Sequence, residues 1–140
     1  MRYLLDTDIL SNLHRGDSRI IARLKQVEAS DFAITIVTRI EMLRGRFDFF
    51  LKAQSAADIL RAQHLLLQSE IALQQLEIIP FDLDAAVEFD RMNKAGLARK
   101  VGHADLIVAS IALSQRAILV TRNLRHFRQV PGLQVVNWMD

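Results

Sequence analysis

Five short apolar runs that do not alternate with polar residues set the strongest limit on how this chain can fold. They are Tyr3–Leu5, Phe32–Val37, Leu76–Ile79, Ala117–Val120 and Leu133–Val136. A strand with one wet face alternates apolar and polar side chains. A continuous apolar run implies burial on both faces, as in a mainly parallel sheet covered by helices on either side. The intervening stretches carry helical spacing. Ser18–Val27 places Ile20, Ile21, Leu24 and Val27 on one side, and Ser55–Gln75 spreads Ala56, Ile59, Leu60, Leu66, Leu67 and Leu73 over a broad apolar face. Asp82 caps a helix running through Ala85, Ala86, Phe89 and Met92 until Gly96 stops it. Ala104–Gln115, after Gly102, is apolar nearly all round and reads as the central helix. Pro80 and Pro131 fall in connections, where a missing N–H is least harmful. This alternation predicts a three-layer α/β fold, and with no repeat or linker residues 1–140 read as a single domain.

Composition narrows the chemistry. A hydrophobic fraction of 51% suits a filled core, and with no cysteine both disulfides and thiolate metal sites are excluded. That fits a reducing compartment such as the cytoplasm. A charge at Asp6 interrupts the N-terminal apolar residues, so no signal peptide or membrane span is expected there. The net charge of +2 permits a polyanionic partner without requiring one.

The carboxylates carry the chemical signal through their placement. In a parallel α/β sheet, ligands bind outside the carboxyl ends of the strands. Asp6 directly follows the first strand, Glu41 opens the helix after the second, Asp105 opens the apolar helix, and Thr121 and Asn123 follow the fourth strand. All should meet at one edge. Each acid also has a structural reading. Asp6 can cap the helix through Ile9, Leu10 and Leu13. Glu41 can complete a capping box with Thr38. Asp105 can simply favour the positive end of its helix. Three carboxylates at one edge would repel one another unless a cation neutralised them, and oxygen-only ligands select a hard one, Mg²⁺ or Mn²⁺. His14, His64, His103 and His126 show no zinc spacing; His103 is the one expected near this edge, at the surface or in support.

The motifs then resemble a known family. Leu4-Leu5-Asp6-Thr7-Asp8 and Ile36-Val37-Thr38-Arg39-Ile40-Glu41-Met42-Leu43-Arg44-Gly45 are similar to the first half of a PIN domain. Gly102-His103-Ala104-Asp105-Leu106-Ile107-Val108-Ala109 and Val120-Thr121-Arg122-Asn123-Leu124-Arg125-His126-Phe127 are similar to its second half. The tail from Val130 to Trp138 resembles the ending of the VapC toxins within that family. The resemblance implies a five-stranded sheet in order 3-2-1-4-5 and a ribonuclease toxin of a type II toxin–antitoxin pair, cytoplasmic, homodimeric and assembling with its antitoxin. It implies that Asp6, Glu41 and Asp105 are the principal acids, with Thr7 and Thr121 as hydroxyls near the metal. Asn123 stands where the wider family has a fourth acid; its carbonyl can still bind a metal or a metal-bound water, with one formal charge fewer. One metal is therefore expected to bind firmly at Asp6 and Asp105, and a second only weakly until an RNA phosphate adds its charge. His126 occupies a spot where some relatives carry an acid.

Arg99, Lys100, Arg122 and Arg125, with Arg128, are expected to put positive charge around the rim and seat RNA phosphates. No aromatic platform suggests base stacking. Phe47, Phe49, Phe50 and Leu51 form an apolar cluster between two helices, either core or, by the resemblance, part of a groove for the antitoxin. Two other functions fit parts of the pattern. Asp6-Thr7-Asp8 resembles the opening of haloacid-dehalogenase-type phosphatases, with Asp6 as nucleophile and Asp8 as acid/base, but Leu10 stands where Thr or Val belongs. A non-catalytic RNA-binding domain would accommodate Asn123.

Overall fold

The computed structural model describes residues 1–140. Five strands, β1 (Tyr3–Leu5), β2 (Phe32–Thr35), β3 (Ile78–Ile79), β4 (Ile118–Val120) and β5 (Gln134–Val136), form one sheet in the order β3-β2-β1-β4-β5. Every pairing is parallel, so the expected order holds and the sheet is parallel throughout. The helices are α1 (Thr7–His14), α2 (Ser18–Leu24), α3 (Ile36–Lys52), α4 (Ala56–Gln74), α5 (Leu83–Lys94), α6 (Leu97–Val101), α7 (His103–Gln115) and α8 (Leu124–Phe127).

The unbroken apolar runs are explained by two cores, one on each face of the sheet. Successive strand residues point to opposite faces. Leu4, Ala33 and Leu119 therefore enter the core built with α5 and α7, while Leu5, Ile34 and Val120 enter the core built with α1, α2 and the C-terminal Trp138 and Met139. Helix α7 is buried along most of its length, as its composition requires. Its one deeply buried polar side chain, Ser110, donates to the Leu106 carbonyl at 2.7 Å and so is satisfied. Trp138 packs against Tyr3 with ring centroids 5.2 Å apart, fastening the tail to the first strand. No helix is long and apolar enough to cross a membrane.

Several boundaries differ from the sequence reading, for identifiable reasons. β2 stops at Thr35 and α3 begins at Ile36, so Ile36 and Val37 belong to the helix although they continue the apolar run. The Phe47–Leu51 cluster does not lie between helices; it is the last part of α3 itself. On α4 only Ala62, Ser69 and Leu73 are buried, and Ile59, Leu60 and Leu67 face outward rather than into the core. α6 and α8, of 5 and 4 residues, are too short for periodicity to reveal.

Gly102 fixes how α7 starts. Its φ of 89° with ψ of 158° is a region that only glycine occupies readily, and it turns the chain between α6 and α7 three residues before Asp105. A Cβ there would meet no atom within 4 Å, so the cost of a side chain is backbone conformation alone. Gly102→Ala is predicted to lower the unfolding free energy by about 1–3 kcal/mol in denaturant titrations. An unchanged midpoint would mean that the turn can relax.

Candidate active site

The acids gather because each belongs to an element that ends or begins at the carboxyl edge of the sheet. Asp6 follows β1 and is the N-cap of α1; its Oδ1 accepts the Thr7 amide at 2.9 Å. Its Oδ2 accepts the Thr121 hydroxyl at 2.8 Å, from the residue just past β4. The capping role and the site role are thus combined in one side chain. Thr121 is buried, and its Oγ1 also accepts the Asn123 amide at 3.1 Å.

Glu41 arrives from the second turn of α3. The capping box anticipated with Thr38 does not form, because the helix begins about a turn earlier. Thr35 is its N-cap, and the Thr35 hydroxyl accepts the Thr38 amide at 3.3 Å. Thr38 is buried within the first turn, its hydroxyl 3.5 Å from the Leu5 carbonyl oxygen. Glu41 is left free for the edge, where its Oε1 accepts the Thr7 hydroxyl at 2.7 Å. Thr7 therefore touches two of the three acids, one through its amide and one through its hydroxyl.

Asp105 lies in the first turn of α7. The histidine that reaches it is His126, with Nε2 at 3.0 Å from Asp105 Oδ2, and not His103, which is exposed and edge-on to the Phe89 ring. The same Nε2 is 2.5 Å from the Val101 carbonyl oxygen. A carbonyl can only accept, so this nitrogen carries a proton and shares it between the end of α6 and the Asp105 carboxylate. Sequence spacing could have flagged His126, which sits one helical turn beyond Asn123, but α8 was too short to be foreseen.

Electrostatics record the crowding. The Asp6 carboxyl is held above its ordinary range, first by burial and further by the charges of Asp105 and Glu41, against hydrogen bonds from Thr121 and Thr7 that favour the anion. Asp105 is likewise raised, again first by burial; His126 opposes the shift and the Glu41 charge adds to it. The charges of the three carboxylates act on one another, yet no three His, Asp or Glu side chains are drawn together closely enough to hold a metal ion. Instead each acid is attended by a different partner: Thr121, Thr7 or His126. An all-oxygen set of repelling carboxylates suits a hard divalent cation, whose charge would relieve the repulsion.

The remaining candidates fall around this centre. Asn123 is exposed, caps α8 through its position, and makes no side-chain capping bond. Arg99, Lys100, Arg122 and Arg125 are all exposed, on α6 and around α8, and none belongs to an ion pair. Asp8, which a dehalogenase-type phosphatase would need beside Asp6, is exposed and is not among the charges acting on Asp6. On α3, Phe47 and Leu51 are 46% and 77% exposed, while Phe49 and Phe50 are half-buried and Arg61 of α4 lies 5.5 Å over the Phe49 ring.

With this geometry in place, the comparisons agree on one lineage. The PIN domain pattern matches residues 3–133. Ribonuclease VapC1 of Haemophilus influenzae (strain R2866) is 31% identical over 140 residues, covering 99% of this chain and 98% of the relative. The tRNA(fMet)-specific endonuclease VapC of Salmonella typhimurium is 27% identical over 141 residues, covering 99% and 98% respectively. In the crystal structure of VapBC2 from Rickettsia felis bound to a DNA fragment from its promoter, a chain 27% identical superposes with a TM-score of 0.76 over 99% of both chains. This chain belongs to the PIN domain family and, within it, to the VapC proteins.

The raised Asp6 carboxyl has a measurable consequence in metal-free protein. Folded protein holds the Asp6 proton more tightly than the unfolded chain does, so ionisation opposes folding above the ordinary aspartate range and contributes nothing below it. Asp6→Asn, which can keep the Thr7 cap through its carbonyl, is predicted to melt higher than wild type near neutral pH. The difference should vanish below about pH 4. A variant that melts lower at every pH would assign Asp6 a net stabilising role.

Proposed function

We propose that this chain is a metal-dependent endoribonuclease that hydrolyses RNA phosphodiester bonds at Asp6, Glu41 and Asp105, and that it acts as the cytoplasmic toxin of a toxin–antitoxin pair. The observation that carries the reading is that three carboxylates from separate elements lie along the carboxyl edge of a parallel sheet, near enough for their charges to act on one another, each held by its own hydrogen-bond donor. Asp6 and Asp105 would hold Mg²⁺ or Mn²⁺, with Glu41 and, more weakly or through water, the Asn123 carbonyl completing the set. When bound, the cation supplies positive charge against the phosphoryl oxygens and the nucleophile.

The chain's own residues do the positioning. Thr121 fixes the rotamer of Asp6 while Thr7 holds Glu41, each leaving the carboxylate lone pairs to accept a ligand. His126 orients Asp105 and ties it to the end of α6. Hydrolysis adds water at phosphorus as the P–O bond to the neighbouring nucleotide breaks. Donors fixed before the substrate arrives lower the reorganisation this step requires. Arg99, Lys100, Arg122 and Arg125 supply cationic rim charge for the substrate backbone.

An antitoxin partner is supported by the outward apolar faces of α3 and α4. Leu51, Leu60, Leu67 and Ile71 are each more than half exposed. Burying a leucine-sized side chain is worth about 1.5–3 kcal/mol, so together they favour an apolar helical segment laid along them. One experiment tests both parts. Purified wild type should degrade total RNA with Mg²⁺ or Mn²⁺, while Asp6→Asn, Asp105→Asn and Glu41→Gln each lose about 10²-fold or more in rate. Adding the cognate antitoxin should stop wild-type cleavage, and Leu51→Glu with Leu60→Glu should need more antitoxin for the same inhibition. Binding of RNA without cleavage by wild type would favour the non-catalytic reading. Phosphate release from a small phosphomonoester would favour the phosphatase.

A further inference from the structure

A second feature leads away from Thr7 and Glu41, between α1 and the α3–α4 pair. A small cleft of about 180 Å³ opens beside Thr7 and Glu41 and is walled by Ser11, Arg15 and Arg46. Those last three side chains also wall a larger cleft of about 550 Å³ that runs on to Gln68 and Ser69 of α4 and to His14. The two form a polar path from the carboxylate cluster between α1 and the α3–α4 pair.

The path is cationic, and its cations are uncommitted. The chain's ion pairs are Arg2–Glu77, Arg19–Asp17, Arg61–Asp58, Arg91–Glu88 and His126–Asp105, and neither Arg15 nor Arg46 belongs to one. Arg46 is half-buried and pre-oriented, its Nε donating at 2.9 Å to the hydroxyl of Ser69, which is 4% exposed. Its terminal nitrogens have no partner within the chain. A guanidinium anchored through Nε and open at its fork is a geometry that receives an oxyanion in bidentate fashion. His14 titrates below its ordinary value, first through desolvation and then through the Arg46 charge, which places it in the same positive field.

The geometry points to a phosphate-binding subsite: Arg46 and Arg15 hold a backbone phosphate of the RNA strand adjacent to the one cleaved at Asp6, Glu41 and Asp105. The inference rests on the ribonuclease reading and extends it by giving the substrate strand a direction, out past Glu41 and along α4. A cluster of carboxylates repels a polyanion, so flanking cations must supply the affinity. The exposed arginines around α8 do this on one side, and the cleft does it on the other. Six of its eight lining residues are polar or charged, against Leu65 and Ala72, and it holds no Phe, Tyr or Trp, which fits a sugar–phosphate backbone better than an apolar helix.

The test combines steady-state cleavage of a short fluorescein-labelled single-stranded RNA with its binding, by anisotropy at several salt concentrations, to protein carrying Asp105→Asn. Arg46→Ala and Arg15→Ala should each raise KM about tenfold with kcat nearly unchanged. Each should also reduce the slope of log Kd against log salt by about 0.7, the value for one phosphate contact on a single strand. Arg46→Lys and Arg15→Lys should restore the slope. Arg15 is exposed and makes no bond to Ser69, so it reports on the cleft even if Arg46→Ala disturbs folding. Wild-type KM and slope in both alanine variants, with wild type cleaving normally, would overturn the subsite and leave the ribonuclease reading intact. Loss of antitoxin binding with RNA affinity unchanged would overturn it in favour of a protein dock. A wild type that neither cleaves nor binds the RNA would overturn the ribonuclease reading and the subsite with it.

Discussion

Burial of carboxylates that also repel one another, Asp6 and Asp105 with Glu41 beside them, is the constraint around which the carboxyl edge of this sheet is arranged. Each acid comes from a different element, so no local change in one segment separates them, and burial raises both Asp6 and Asp105 above their ordinary range. The surrounding donors act on single acids. Thr121 takes one oxygen of Asp6, Thr7 takes one oxygen of Glu41, and His126 stands against Asp105. The result is a cluster whose members are tethered separately, which a divalent cation would draw together. The parallel sheet makes this arrangement available, because it brings the ends of β1, β2 and β4 to the same edge.

The carboxylate edge was legible because it follows from strand order and from acids placed directly after apolar runs. The parallel sheet was legible for a related reason: Leu4 and Leu5, Ala33 and Ile34, and Leu119 and Val120 feed opposite cores, which leaves no polar alternation in the strands. What the sequence could not resolve were events decided by tertiary contact. Thr35 rather than Thr38 caps α3, so a sound capping-box pattern pointed at the wrong residue and understated the case for Glu41. His126 rather than His103 meets Asp105, because α8 carries it across to the end of α6. The α4 face with Leu60 and Leu67 has ordinary amphipathic spacing, yet it is left outside because only Ala62, Ser69 and Leu73 face the core.

The two sides of the acid cluster are unlike each other. Toward α6 and α8 the cations are exposed, set on and beside short helices. Toward α1 and α4 they line a cleft, and Arg46 is fixed by a buried serine. The apolar surface of α3 and α4 lies outside that polar path, at Leu51, Leu60, Leu67 and Ile71. The polar cleft and the apolar face are therefore chemically separate surfaces on the same pair of helices.

If Asp6, Glu41 and Asp105 form an incomplete site that one hard cation completes, calorimetric titration of Mn²⁺ into the metal-free chain should show one firm binding event in the wild type. That event should be lost in Asp6→Asn and in Asp105→Asn, with any second event much weaker until RNA is added. Undiminished Mn²⁺ binding in both variants, or two equally tight sites in the free wild type, would contradict the one-cation site.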